Sequence, residues 1–364
     1  MSKKRTLDSF FKPLSQHHVA HPAPTGQPSP PTNTTKKQRV NLSFDHANLP
    51  IAGSDDLSSS HPTYPFPIPH LPTSILSALG ASTSALTNPN ITCPASIGRP
   101  INDQPHLDLV YYDPFLPRSA ANALFAFLRT SLPFYRVRYR IQRGGIDAQI
   151  NTPRYTTVFG VDESSRFDAL SGLIVERDSG KPVAGDRYAC RPRPMPDCLD
   201  RLRAAVERET GERFNFCLVN YYASGDDSIS YHSDDERFLG QDPAIASLSL
   251  GATRDFCMKR KPPPKGKAAE GNGKSRELPE KPLKLPLGSG DMVLMRGSTQ
   301  AKWLHSVPKR RGGQSGKGRI NITFRKAMVR GGTENYYQYN VGDGPVHRWD
   351  EGRGEMTIWE SVKE

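Results

Sequence analysis

The sequence predicts an α+β protein in which a β-barrel or jelly roll is braced by helices and preceded by a disordered N-terminal tail. Three observations favour this fold class. The first 100 residues hold 15 of the 33 prolines, two amphipathic helix patterns follow them, and many short strand patterns, separated by glycine and proline, fill most of the remaining chain.

Residues 1–104 are expected to form the disordered tail, because stretches such as HPAPTGQPSPPTNTTKKQ cannot sustain the hydrogen bonding of helices or sheets. The exception is segment 4–14, in which Leu7, Phe10 and Phe11 have the spacing of a short helical turn that inserts into a groove. This segment resembles the PIP box, the peptide that binds the replication sliding clamp, although Lys4 stands where that motif usually has glutamine. Two phenylalanines in an unfolded tail are the alternative interpretation.

Residues 105–330 are expected to fold as one domain. Helical spacing of apolar residues marks PRSAANALFAFLRTSL and CLDRLRAAVERETGERF, and Gly211 is expected to end the second helix. The predicted strands are PFYRVRYRIQ, FNFCLVNYY, DSISYHSD, IASLSLGA, RDFCMKR, LKLPLGSGDMVLMR, KWLHSVP and RINITFRKAMV. Residues 259–284 interrupt them with nine basic and three acidic residues, which predicts an exposed loop, either simply solvated or in contact with phosphates. A C-terminal extension, residues 331–364, has no assigned role.

The composition indicates which kinds of binding partner and structural class are compatible with this chain. The net charge of +12 over 364 residues favours polyanions, of which nucleic acid is the commonest inside cells. No apolar stretch is long enough to span a bilayer, and the five scattered cysteines form no C-x-x-C pair, which argues against a disulfide framework and a zinc finger. We therefore expect an intracellular monomer that makes no membrane contact.

The stretch YHSDDE carries the first sign of chemistry. Residues two apart on a strand share a face, so His232 and Asp234 would form a chelating pair, although H-x-D alone is frequent by chance. His305, in KWLHSVP, lies between apolar residues that would carry it inward. Two histidines and one carboxylate in a β-barrel form the facial triad of non-haem Fe(II) oxygenases, which leaves three coordination positions open.

A second pattern lies on the strand RINITFRK. One face is apolar, and the other carries Arg319, Asn321, Thr323 and Arg325. Arginines that face the inside of a barrel need a bound anion, because an unpaired buried charge is costly, and a dicarboxylate would satisfy them. Asn220 and Tyr222 share a face in LVNYY and offer two more hydrogen-bonding groups. An organic dicarboxylate would fill two of the open metal positions and O₂ the third.

Taken together, H-x-D, a distant histidine and R-x-N-x-T-F-R resemble the AlkB family of Fe(II)/2-oxoglutarate dioxygenases. The strings NYYASGDDSISYHSDDE, PAIASLSLGATRDF and RINITFRK are similar to the eukaryotic AlkB homologues that repair alkylated DNA. The resemblance covers roughly residues 105–330 and implies a double-stranded β-helix.

It also implies roles for individual residues. His232, Asp234 and His305 would hold iron, and Arg319 would pair with the distal carboxylate of 2-oxoglutarate. Asn220 and Tyr222 would hydrogen-bond this cosubstrate, Asn321 lies on the same face as Arg319, and Arg325 would lie near the metal-bound end and Asp234.

The resemblance extends to the substrate. Asp235, supported by Glu236, would accept a hydrogen bond from the exocyclic amine of a flipped base, or else belong to a solvated acidic turn. His232 would supply one stacking face and Tyr188 or Phe159 the other, with a role in the core as the alternative.

The stretch QRGGIDAQINTPRYT predicts a hairpin. By the resemblance, Ile146 would lie where related duplex-repairing enzymes insert a hydrophobic wedge between bases, and an ordinary hairpin tip is the alternative. Arg143 and Arg154 are candidates for phosphate contacts.

The resemblance implies a nuclear enzyme of DNA repair. It would demethylate N-alkylated bases of the 1-methyladenine and 3-methylcytosine type in double- or single-stranded DNA, releasing formaldehyde, with succinate and CO₂ formed from 2-oxoglutarate. An RNA or nucleotide demethylase of the same family, a protein hydroxylase and a non-catalytic, clamp-tethered DNA-binding module are the alternatives.

Overall fold

Antiparallel sheets and the helices packed against them make up the described part of the chain. The computed structural model describes residues 57–84, 97–136, 138–143, 146–188, 190–262, 281–312, 317–333 and 344–360. The helices are α1 (Thr73–Ser84), α2 (Arg118–Ser131), α3 (Asp197–Thr210) and α4 (Thr299–Lys302), and Arg237–Leu239 forms a 3-10 turn. The strands are β1 (Ser58–Ser59), β2 (Ile68–Pro69), β3 (Arg99–Ile101), β4 (Leu109–Tyr112), β5 (Phe134–Tyr135), β6 (Arg138–Arg143), β7 (Ile146–Asn151), β8 (Tyr155–Gly160), β9 (Ser165–Phe167), β10 (Ile174–Glu176), β11 (Phe216–Tyr222), β12 (Ile229–His232), β13 (Ile245–Gly251), β14 (Arg254–Arg260), β15 (Leu283–Leu287), β16 (Met292–Met295), β17 (Trp303–Val307), β18 (Arg319–Arg325), β19 (Val346–Asp350) and β20 (Glu355–Ile358).

The strands form one large and one small sheet. The large sheet has the order β20-β19-β5-β8-β11-β18-β13-β16-β4-β3, and the small sheet has the order β12-β17-β14-β15. Three strand pairs, β1-β2, β9-β10 and β6-β7, stand apart from them. The paired strands of both sheets run antiparallel, so the arrangement is consistent with the predicted jelly roll.

The large sheet buries apolar side chains on both faces. On one face, Ile320, Ile322 and Phe324 of β18 share a hydrophobic cluster with residues of α2 and α3. On the other face, Leu218 of β11 shares a second cluster with Phe256 of β14 and with other residues of the small sheet. The alternate residues of β18, which begin with Arg319, therefore lie on the face that meets the small sheet.

The two predicted helices form as their spacing indicates. In α2, Ala121, Leu124 and Leu128 are buried, whereas Phe125 is only partly covered. Helix α3 ends at Gly211, whose φ of 73° is in the left-handed region that glycine adopts readily. No helix among the described residues is both long enough and apolar enough to cross a bilayer.

Secondary structure starts before residue 105, which corrects the expectation that the whole of residues 1–104 is a disordered tail. Strands β1 to β3 and α1 precede that position, and Ile68, Leu71, Ile75 and Leu79 belong to the helix-side cluster. After Pro72, Ile75 and Leu79 are four residues apart, a helical spacing that the neighbouring prolines obscured.

Three other expectations concern residues that the structure does not describe, or describes only in part. Leu7, Phe10 and Phe11 lie outside them, as does most of the basic loop, residues 263–280. Of the C-terminal extension, residues 331–333 and 344–360 are described, and β19 and β20 join the edge of the large sheet through β5.

Candidate functional site

Two neighbouring strands of the small sheet bring the predicted metal ligands together. His232 ends β12 and lies opposite His305 of β17 in the antiparallel register, with ring centroids 4.2 Å apart. Asp234 follows two residues after His232 and is 3.8 Å from its Nε2 through Oδ1 and 3.6 Å from His305 Nε2 through Oδ2. Among the described residues these three are the group whose ligand atoms lie within 4.8 Å of one another, and all three are buried.

The protonation states suit a divalent metal. His232 Nδ1 is 2.8 Å from the carbonyl oxygen of Ser230, so Nδ1–H donates there and Nε2 keeps its lone pair. Burial lowers the pKa of His232 and, together with the neighbouring His232, lowers the pKa of His305 to about 3. Burial alone would raise the pKa of Asp234, but the positive charge of Arg325 and its hydrogen bond outweigh it and hold that pKa below its usual value. The cluster therefore offers two neutral imidazoles and one carboxylate.

Arg325 and Gln300 hold Asp234 in position. Arg325 Nη2 is 3.1 Å from Asp234 Oδ2, and the backbone N–H of Asp234 donates to Gln300 Oε1 at 2.9 Å. The other carboxylate oxygen, Oδ1, is buried without a hydrogen-bond partner among the described residues. A cation bound between Asp234 and the two histidines would satisfy this oxygen, so the donor set fits Fe(II).

Arg319 is the residue of the large sheet at which the sequence analysis expects an anion. Its Nη2 donates to Ser249 Oγ at 2.8 Å, whereas Nε and Nη1 are buried without a hydrogen-bond partner in the described part of the chain. Burial lowers the pKa of Arg319 to about 10. Tyr222 lies beside it, with its ring centre 5.3 Å from the guanidinium carbon. A carboxylate of a bound ligand would supply the missing acceptors and the missing negative charge.

Asn220 and Asn321 lie opposite each other on β11 and β18 but differ in their contacts. Asn220 Oδ1 accepts a hydrogen bond from Arg154 Nε at 3.0 Å. Asn321 Nδ2 donates to Ser247 Oγ and to the carbonyl oxygen of Leu248 on β13, at 2.9 and 3.1 Å. Its amide therefore links two strands of the large sheet.

Arg154 does not lie where the sequence analysis expected it. Its side chain is buried and bonded to Asn220, and its charge is one of those that lower the pKa of His232. A phosphate-contacting arginine would be exposed, so this expectation is corrected. The cause is β8, because Arg154 immediately precedes this central strand of the large sheet.

The two acids after Asp234 differ in environment. Asp235 Oδ1 accepts from Ser233 Oγ at 2.9 Å, and Oδ2 accepts from Lys261 Nζ at 2.6 Å. Glu236 is buried, with Oε2 at 3.8 Å from Arg325 Nη1. Asp235 is the more accessible carboxylate, and Glu236 is tied to the arginine that holds the candidate metal ligand.

Neither predicted stacking aromatic is in a position that favours that role. Phe159 is fully buried in the helix-side cluster, whereas its neighbour Val158 belongs to the cluster between the sheets. The Tyr188 hydroxyl lies 2.8 Å from Asp162 Oδ2 and 2.9 Å from Ser165 Oγ. Phe159 is therefore a core residue, which was the alternative interpretation. Strand alternation on β8 directs its side chain to the face opposite the candidate metal ligands. Tyr188 is held by its own hydrogen bonds and lines a separate cavity of about 260 Å³.

The predicted hairpin is present as β6 and β7. Arg143 and Ile146 are the last paired residues of its two strands. Their side chains, and the turn itself, are outside the described part of the structure.

Sequence reasoning missed Gln300, Ser249 and Lys261. Gln300 lies in α4, and its contact with the N–H of Asp234 spans 66 residues of chain. Ser249 lies opposite Asn321 on β13, where it reaches Arg319. Inward alternation of IASLSLGA would have nominated Ser249, whereas nothing local to Gln300 or Lys261 signals their contacts.

Comparisons with known proteins agree with this geometry. A family model described as the 2OG-Fe(II) oxygenase superfamily matches residues 108–325. The chain is 43% identical over 145 residues to the alpha-ketoglutarate-dependent dioxygenase alkB homolog 3 of Homo sapiens, covering 40% of this chain and 48% of that one. It is 32% identical over 228 residues to the DNA oxidative demethylase ALKBH2 of Arabidopsis thaliana, covering 61% and 67% of the two chains.

The match to the human DNA oxidative demethylase ALKBH2 is 36% identical over 152 residues and covers 42% of this chain and 54% of that protein. The aligned region thus spans about half the length of the human relatives.

Proposed function

The chain belongs to the AlkB family within the 2OG-Fe(II) oxygenase superfamily, and from this premise we propose that it is an oxidative demethylase of N-methylated bases in DNA. The observation that carries the proposal is the buried group of His232, Asp234 and His305, with Arg319 on the facing sheet. Members of the superfamily use Fe(II), 2-oxoglutarate and O₂, as its name indicates.

His232, Asp234 and His305 would hold the iron. When bound, Fe(II), O₂ and 2-oxoglutarate supply an oxidation in which one oxygen atom enters a C–H bond of the N-methyl group and the other ends in succinate, with loss of CO₂. The hydroxymethyl group then leaves as formaldehyde and restores the base. Asp234 remains ionised beside Arg325, and the hydrogen bond from His232 Nδ1 to Ser230 keeps Nε2 available for the metal.

Arg319 would bind the distal carboxylate of 2-oxoglutarate. Two of its nitrogens are buried without a hydrogen-bond partner among the described residues, so a dicarboxylate offsets a charge that the fold leaves uncompensated. Tyr222 and Asn220 lie two residues apart on β11 and would bond the same molecule, and Arg325 would orient the metal ligand Asp234. Asn321 would act indirectly, because its amide bonds to β13.

DNA is the proposed substrate for two reasons. The relatives from Arabidopsis thaliana and Homo sapiens are named as DNA oxidative demethylases, and the net charge of +12 favours a polyanion. Asp235, next to the metal ligand Asp234, would accept a hydrogen bond from the exocyclic amine of 1-methyladenine or 3-methylcytosine. A nuclear location and clamp binding through Leu7, Phe10 and Phe11 stay predictions of the sequence.

Formaldehyde release tests the proposal. Purified protein with Fe(II), 2-oxoglutarate and O₂ is expected to release formaldehyde from oligonucleotides that carry 1-methyladenine or 3-methylcytosine. His232→Ala is the matched control and should be inactive, because it removes one metal ligand and leaves the two sheets in place. Duplex, single-stranded DNA and RNA versions of one sequence rank the substrates. Activity of His232→Ala equal to that of the wild type would contradict the metal site, and release from RNA alone would contradict DNA as the substrate.

A further inference from the structure

Lys261 is fixed next to the candidate metal site. Its Nζ donates to Asp235 Oδ2 at 2.6 Å and to the carbonyl oxygen of Gln300 at 2.7 Å. Its backbone N–H donates to the carbonyl oxygen of Lys302 at 2.7 Å, and only 18% of its side chain is exposed. Most lysines that follow the end of a strand extend into solvent, whereas this ammonium group is held by two acceptors.

Both acceptors belong to the surroundings of the metal ligand Asp234. Asp235 follows Asp234 in the chain, and Gln300 Oε1 accepts a hydrogen bond from the backbone N–H of Asp234. The second oxygen of Asp235 accepts from Ser233. Each oxygen of this carboxylate therefore already has an internal partner, and the charge of Asp235 is balanced by Lys261.

We propose that Lys261 sets the charge selectivity of the base site by competing with a positively charged methylated base for Asp235. This inference rests on the proposed function. Methylation of a ring nitrogen that carries only a lone pair, as in 3-methylcytosine, adds a positive charge to the base. Methylation that replaces an N–H, as in 3-methylthymine, leaves the base neutral. A carboxylate favours the charged base, and an ammonium group bonded to the same carboxylate reduces that advantage.

The test compares binding of the two kinds of base. Lys261→Met removes the charge and keeps most of the length of the side chain, whereas Lys261→Arg keeps the charge. Lys284→Met is the matched control, because Lys284 Nζ forms an ion pair with Asp255 Oδ2 at 2.9 Å on β15 of the same sheet and is 64% exposed. The Kd of single-stranded oligonucleotides containing one 3-methylcytosine or one 3-methylthymine is measured by fluorescence anisotropy, on protein loaded with Fe(II) and 2-oxoglutarate without O₂.

Lys261→Met is expected to raise the ratio of the Kd for 3-methylthymine to the Kd for 3-methylcytosine by about fivefold, the upper range for a partly screened ion pair. Lys261→Arg and Lys284→Met should leave this ratio at the wild-type value. An unchanged or smaller ratio in Lys261→Met, or an equal rise in Lys284→Met, would overturn the inference. If Lys261→Met does not fold, as judged by circular dichroism, Lys261→Gln is assessed by the same criteria.

The binding ratio separates this inference from the proposed function. When O₂ is admitted to the same samples, formaldehyde reports demethylation. Absence of formaldehyde from every methylated oligonucleotide with the wild-type protein would refute the proposed function. The change in the Kd ratio between wild type and Lys261→Met would still decide the role of Lys261, since it needs no turnover.

Discussion

The guanidinium of Arg319 is buried on the face of the large sheet that meets the small sheet, and no carboxylate pairs with it in the described part of the chain. Ser249 satisfies one of its nitrogens, and the ring of Tyr222 lies beside it. An ion in such surroundings costs folding free energy, and burial lowers its pKa to about 10 for the same reason. An apolar side chain at this position would therefore give a more stable fold. Binding of an anionic ligand by the arginine would explain why the charge is there.

Arg319→Met is expected to separate ligand binding from stability. The Kd for 2-oxoglutarate, measured by calorimetry without O₂, should rise on the order of 10- to 100-fold, because a charge-assisted hydrogen-bonded pair is lost. The free energy of unfolding of the ligand-free protein should not decrease, because the variant removes a buried charge. Arg319→Lys retains a charge and should bind 2-oxoglutarate with an intermediate Kd. Unaltered binding by Arg319→Met would refute the assigned role.

The sequence predicted the grouping of His232, Asp234 and His305 better than the contacts of the residues around them. His232 and Asp234 share one short segment, where strand alternation acts locally, whereas His305 joins them through the long-range pairing of β12 with β17, which the family resemblance indicated and no local pattern did. The contacts of Asn321 with β13 and the position of Phe159 in the helix-side core depend on which strands become neighbours and which face meets the helices. No pattern within a single strand contains that information.

At the scale of elements, the end of α3 was predicted from one glycine. Gly211 has a φ of 73°, and no heavy atom lies within 4 Å of the Cβ that a substitution would add there. The requirement for glycine is therefore one of backbone conformation and not of space. Gly80 in α1 has equally open surroundings but no positive φ.

Gly211→Ala is expected to lower the free energy of unfolding by about 1 kcal/mol, since alanine disfavours the left-handed conformation. Gly80→Ala adds the same methyl group within a helix and should instead raise the free energy of unfolding by up to about 1 kcal/mol. Urea titrations of both variants measure the change in the free energy of unfolding, which is expected to be negative for Gly211→Ala and positive for Gly80→Ala. Equal effects at the two positions would show that backbone conformation does not explain Gly211.

At the scale of the whole molecule, segments beyond the residues matched by the family model complete the fold. The family model matches residues 108–325. Outside this range, α1 contributes residues to the helix-side cluster and β19 is a strand of the large sheet. Residues from both flanks meet, since Phe66 lies 5.1 Å from Trp359 between ring centroids. The sequence did not indicate this, because the apolar residues of both segments are too few and too interrupted to predict which surface they cover.

Trp349 on β19 connects the C-terminal segment with α2 and β11. Its ring stacks on the guanidinium of Arg129 in α2 at 3.9 Å and meets Tyr221 of β11 edge-on at 6.4 Å between ring centroids. It packs against the helix-side cluster, on the opposite face of the large sheet from Arg319.

Trp349→Ala is expected to lower the free energy of unfolding by about 2 to 3 kcal/mol, through lost packing and a lost cation–π contact. Ile358→Ala on the neighbouring strand β20 is the control, because Ile358 is 55% exposed and should cost less than about 0.5 kcal/mol. At temperatures where both variants are folded, they should bind Fe(II) and 2-oxoglutarate with wild-type affinity, because the tryptophan packs on the helix side of the large sheet and not on the side of Arg319. A loss of 2-oxoglutarate affinity in folded Trp349→Ala would instead mean that the C-terminal segment shapes the binding site through the large sheet.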